Sequence, residues 1–167
     1  MRITPHLLTL ALTLGACGGG SDDPAALADS AVAALNSSDY QTAYDDFGKA
    51  LELIGGNSGH AQFKRAAVGQ IQAQVHLDAE QARKSFLELA QKQSGVITDR
   101  DYSDIAGRLA SARAFEDAIY VMDAGLKAHI ESPVLAKLKE SIVKQSKESG
   151  DPAALAALEG LGYAGGD

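Results

Sequence analysis

The chain runs to 167 residues with a formal net charge of −7, one cysteine, no tryptophan and few aromatics. That length suits a single domain. The acidic balance, without a basic patch, argues against nucleic acid as a partner, and a lone cysteine provides no intramolecular disulfide. Alanine and leucine dominate the apolar content, which suits close helix packing better than a β-sandwich or a carbohydrate-stacking cleft.

The N-terminus reads as an export signal. Arg2 precedes an apolar run, Leu7-Leu8-Thr9-Leu10-Ala11-Leu12-Thr13-Leu14, that is too short to span a bilayer. Thr9 and Thr13 interrupt its apolar face, no N-cap stands before Leu7, and a glycine run follows soon after. The small residues Gly15 and Ala16 then lead to Cys17. Leu14-Gly15-Ala16-Cys17 resembles the lipobox of bacterial lipoproteins. The resemblance implies cleavage after residue 16 and a thioether-linked diacylglycerol on Cys17, usually with a further acyl chain on its amino group. Two or more chains anchor a protein firmly, at about 0.8 kcal/mol per buried methylene.

By the same resemblance, Gly18 in place of aspartate after the cysteine favours the outer membrane, facing the periplasm, with surface exposure the alternative. Residues 1–16 are thus the expected signal and 17–23 the tether. Gly18-Gly19-Gly20-Ser21-Asp22-Asp23 has the composition of a flexible, solvated linker. Loss of Arg2 takes the net charge from −7 to −8. Anionic head groups would repel such a surface, so the lipid is the expected membrane contact.

Paired helices are predicted over 24–36 with 40–54, 60–76 with 79–93, 99–112 with 115–130, and 133–148 with 152–160. Asp23-Pro24, Ser132-Pro133 and Asp151-Pro152 each place an N-cap before a proline at the first helical position. Thr98-Asp99-Arg100-Asp101 and Asp78-Ala79-Glu80-Gln81 have the spacing of capping boxes. Gly55-Gly56 and Gly95 fit helix stops. Acid-to-base pairs at i,i+4 mark the expected solvated faces: Asp45–Lys49, Glu80–Lys84, Glu88–Lys92, Asp123–Lys127 and Glu140–Lys144.

The second helices share a pattern. Tyr40, Ala43, Tyr44, Phe47, Ala50, Leu51 and Ile54 follow the same offsets as Phe115, Ala118, Ile119, Met122, Gly125, Leu126 and His129. Ala79, Ala82, Phe86, Leu89 and Ala90 form a weaker copy. Ala43, Ala82 and Ala118 stand 39 and 36 residues apart, a period typical of stacked helical units. Ser38-Asp39-Tyr40 with Ala43, Phe47 and Ala50 resembles the second helix of a tetratricopeptide repeat. Ala114-Phe115 with Ala118, Met122 and Gly125 resembles it less closely. The family's tryptophan is absent, and Gly69 lies one residue off the expected register. The resemblance implies an all-α chain over 24–162. It would be a short α-solenoid of about three tetratricopeptide-like helix pairs, closed by a C-terminal capping pair, with 163–167 a flexible tail. A generic antiparallel helical bundle is the alternative.

Signs of catalysis are lacking. His60, His76 and His129 are far apart in sequence, and His6 falls in the signal. No His-Glu-x-x-His, Gly-x-Ser-x-Gly or phosphate-loop motif occurs, so neither a metal nor another cofactor is expected. Asp22-Asp23, Asp45-Asp46 and Glu116-Asp117 fall in a linker or near helix starts, where acids complement the helix dipole. The reading is therefore a non-enzymatic interaction module whose partner is another envelope protein or a peptide segment of one. The repeat resemblance implies a groove along the first helices, with Asn36, Lys64, Gln74, Arg100, Ser103 and Ser111 as its candidate contacts. Lys64 and Arg100 are the best placed by charge to meet a partner's carboxylate. An envelope enzyme such as a cell-wall hydrolase, or a passive self-associating protein, are the other readings.

Overall fold

A computed structural model describes residues 22–165. The expected signal, Cys17 and most of the tether lie outside the described residues, as do residues 166 and 167. Among the described residues there are eight α-helices and no strand. In chain order they are α1 (Pro24–Asn36), α2 (Tyr40–Ile54), α3 (Phe63–Leu77), α4 (Ala79–Lys92), α5 (Asp99–Ser111), α6 (Phe115–Ala128), α7 (Pro133–Ser149) and α8 (Pro152–Gly160).

Local chemistry sets these boundaries. The carboxylates of Asp23 and Asp151 accept from the backbone N–H groups of Ala25 and Ala153, and the Ser132 hydroxyl accepts from Leu135. Each satisfies a donor that the first turn leaves open. At α5 the Thr98 N–H donates to Asp101 Oδ2 at 2.7 Å, the return bond of a capping box. The expected box at α4 is only half made. Asp78 accepts from Gln81 N at 2.9 Å, while the Gln81 side chain turns to Ser85 instead.

α3 begins at Phe63, three residues after the expected start. Asn57 Oδ1 accepts from Gly59 N and His60 Nδ1 from Gln62 N, so side chains hold this stretch in turns. Gly55 stops α2 in the left-handed region at φ 62°. Gly95 does not stop α4, which ends at Lys92 with Gln93 as its cap.

Two turns are near copies of one another. Ser38 (φ 62°) and Arg113 (φ 65°) are left-handed at the ends of α1 and α5. In each the next residue donates back five positions, Asp39 N to Ala34 O and Ala114 N to Leu109 O, both at 2.9 Å. This is the Schellman motif, made here without glycine.

Each even helix folds back on the odd helix before it. α1, α3, α5 and α7 also pack in succession, as do α4, α6 and α8. Ala43, Phe47 and Ala50 are buried, and so are Ala82, Phe86 and Ala90, and Ala118 and Met122, on the faces that the shared offsets predict. One apolar cluster runs from Val68 on α3 to Leu158 on α8. A smaller one joins Leu27, Ala28 and Ala31 of α1 to Phe47 and Ala50 of α2 and Ala66 of α3.

Several side chains depart from expectation. Lys49 pairs with Asp46 rather than Asp45, and Lys144 with Glu148 rather than Glu140. Asp123 pairs with Lys127 as expected, yet it is buried rather than on the solvated side. The reason is Tyr163, placed by sequence in a flexible tail. Its hydroxyl donates to Asp123 Oδ1 at 2.9 Å and its ring lies beneath Lys139, so this part of the tail is docked.

Candidate functional site

The α3 helix places Lys64, Arg65, Val68, Gly69 and Gln72 on one face, at helical spacing. That face looks into a recess of about 450 Å³, bounded by Val32 of α1, Asp101 of α5 and Ala61 at the entry to α3. Phe47 of α2 forms its floor. The floor is apolar and the rim is charged. Such a shape suits an apolar side chain flanked by polar groups.

Polar contacts tie the walls together. The Arg65 guanidinium meets Asp29 on α1 at 2.6 Å, and the Lys64 ammonium meets Asp101 on α5 at 2.6 Å. Gln72 Nε2 donates to Asp104 Oδ2 at 2.7 Å, and Arg108 Nε donates to the same carboxylate. Asp101 is held in place because it also accepts from the Thr98 backbone and hydroxyl. The cations of both ion pairs are about 40% exposed, so each pair contributes at most about 1 kcal/mol. They link α3 to α1 and to α5 across the rim of the recess. A ligand acid could therefore compete for either cation at small cost.

Of the six residues assigned to a groove by sequence, only Lys64 lines this recess. Gln74 is buried, and this corrects its assignment: at two residues beyond Gln72 it has rotated away from the recess face. Asn36 is exposed at the end of α1, and Arg100 is exposed one residue before Asp101. Ser103 is half-buried, and the Ser111 hydroxyl donates to Gly107 O of its own helix at 2.8 Å. The recess residues that sequence reasoning missed are Arg65, Val68 and Gln72. A signal existed: they stand at one, four and eight residues from Lys64, on its own helical face.

Further along α3, the ring of His76 stacks on Tyr40 with centroids 3.8 Å apart and planes 8° from parallel. Burial, then the charge of Arg108, lowers the His76 pKa. Among the described residues no group of three or more His, Cys, Asp or Glu side chains is placed to hold a metal ion. No helix there is long and apolar enough to cross a membrane. A second concavity, of about 650 Å³, lies between α7 and the docked tail, against Lys139, Val143, Lys147 and Tyr163.

No protein-family model matches the chain, and no curated protein or solved structure shows significant similarity to it.

Proposed function

We propose that the chain is a lipid-anchored interaction module of the bacterial cell envelope. Cys17 carries the lipid, the glycine-rich tether gives reach, and the helical domain holds a segment of another envelope protein. The segment lies over the recess between α1, α3 and α5, with an apolar side chain on Phe47 and Val68 and an acid near Lys64 or Arg65. The recess carries this reading: an apolar floor under a charged rim, opening between successive odd helices.

A tetratricopeptide-like solenoid is the architecture we favour over a generic bundle. Its support is the near-identical turn at Ser38 and at Arg113, which stand 75 residues apart, as do the matching Ala43 and Ala118. A stacked repeat calls for such recurrence, and a bundle does not. Placement at the outer membrane rests on the lipobox-like residues and Gly18.

The test is crosslinking and affinity capture of the full-length protein from its native envelope, read by mass spectrometry. Cys17→Ser removes the anchor. Ala61→Trp fills the mouth of the recess from an exposed turn. One dominant partner, reduced by both substitutions, is the expected result. Capture that is indifferent to Ala61→Trp would rule out the recess as the docking site. Wild-type protein remaining in the soluble fraction would rule out the anchor.

A further inference from the structure

Two exposed helix faces at opposite ends of the helix series carry complementary charge at the same spacing. On α2, Asp45, Lys49 and Glu52 read acid, base, acid, separated by four and then three residues. On α7, read in reverse, Lys144, Glu140 and Lys137 read base, acid, base, again separated by four and then three. All six residues are exposed. Residues at these offsets share one face of a helix and span about two turns, roughly 10 Å. We propose that α2 of one copy lies antiparallel on α7 of a second copy, pairing Asp45 with Lys144, Lys49 with Glu140 and Glu52 with Lys137.

Other observations point to the same joint. Among the described residues neither face packs on another helix: α2 packs against α1 and α3, while α7 packs against α5, α6 and α8. Cations elsewhere in the fold are mostly engaged within the chain, as Lys64, Arg65, Arg83 and Arg108 are. On α7, by contrast, Lys137 and Lys147 make no ion pair among the described residues, and Lys144 reaches Glu148 only at 3.8 Å. Lys49 is held only by an exposed i,i+3 contact to Asp46, which is easily exchanged.

Apolar surface agrees in position. Leu53 is 48% exposed and Val134 is 40% exposed. In this register Leu53 lies opposite residue 136, about 3 Å along the axis from Val134. Contact between them would shield apolar area at one end of the joint. The recess between α1, α3 and α5 stays open, because neither charged face lines it. The joint uses two different surfaces, so it either closes reciprocally in a two-fold dimer or continues as a row of copies.

Sedimentation equilibrium of the full-length chain tests this, with Cys17→Ser in every sample so that acylation does not contribute. At about 0.1 M salt, where a Debye length of about 10 Å screens the net charge of −7 on each copy more than it screens the closely paired charges, the mass should rise with concentration above that of one chain. At about 1 M salt, where it is about 3 Å, association should weaken. Lys137→Glu with Lys144→Glu should raise the dissociation constant about tenfold or more, and so should Asp45→Lys with Glu52→Lys. Lys137→Glu lies toward the start of α7 and Glu52→Lys in the last turn of α2, where the new charges suit the helix dipole, while Lys144→Glu and Asp45→Lys lie at exposed mid-helix positions, so both variants should fold. Circular dichroism checks that they do. Mixing the two variants restores a complementary joint on both sides, and association should return. A single-chain mass at all concentrations at about 0.1 M salt would overturn the proposal. So would variants that associate like the parent, or a mixture no more associated than its components.

Discussion

Gly69 on α3 faces the ring of Phe47 on α2 so closely that a Cβ at position 69 would lie 2.4 Å from Phe47 Cζ. Phe47 is almost fully buried and stands between Ala43 and Ala50, which are also buried, so its ring has little room to withdraw. Gly69→Ala should therefore destabilise the protein by about 1–3 kcal/mol, the usual effect of overpacking, despite the better helix propensity of alanine. Urea unfolding monitored by circular dichroism reads this as a lower midpoint. Gly107→Ala is the control, since nothing lies within 4 Å of a Cβ there. It should raise stability by about 1 kcal/mol.

The same contact shows what the sequence made legible and what it did not. Helix starts such as Asp23-Pro24 and Ser132-Pro133 were readable because a cap and a proline act within one turn. The buried faces of α2, α4 and α6 were readable because burial follows helical periodicity. Gly69 looked misplaced by one residue against the repeat pattern. Its position instead answers to Phe47, a partner 22 residues away that no local rule identifies. The recess was hidden for the same reason. Choosing Gln72 over Gln74 required the rotation of α3 against α1 and α5, which the packing of α3 among its neighbours sets.

His76 should make stability depend modestly on pH near neutrality, modestly because the residue is exposed beside Tyr40. Its folded pKa is lowered from 6.5, first by burial and then by Arg108. The unfolded chain therefore takes up the proton first as pH falls. The stabilisation is fully present above 6.5 and is lost as pH falls from there through the lowered folded value. Thermal unfolding between about pH 8 and pH 5 should show a step that His76→Phe removes while keeping a ring against Tyr40. A step of equal size in the variant would assign it to another group.

Tyr163 gives a second titration with the opposite sense. Burial, and then its hydrogen bond to Asp123, push its pKa up to about 12 from 10.0. The stabilisation is complete below the unfolded value and is lost as pH rises from about 10 to about 12. Ultraviolet absorbance of the phenolate should show one tyrosine ionising last, and Tyr163→Phe should delete that phase. The substitution removes a half-exposed hydrogen bond, so a loss of about 1 kcal/mol at neutral pH is expected. A Tyr163→Phe chain with unchanged stability that loses its phenolate amplitude near pH 10 rather than near pH 12 would mean that the tail is not docked in solution.

Arg113 sits at φ 65° where α5 turns into α6, a conformation that side chains with a Cβ adopt at a cost of about 1 kcal/mol or more. Its side chain is exposed and makes no ion pair among the described residues, so little is lost with it. Glycine is the residue that this left-handed cap position favours. Arg113→Gly should therefore stabilise the domain, by up to about 1 kcal/mol once the extra freedom of glycine in the unfolded chain is set against the relief of strain. Ser38→Gly should act the same way at the copied turn after α1, where φ is 62°. The two sites are far apart in the chain and share no contact, so their effects should add. A rise in the urea midpoint for each variant, summing in the double variant at an unchanged slope, is the expected outcome. Loss of stability in both would count against left-handed turns in solution, and would remove the recurrence that supports the proposed repeat architecture.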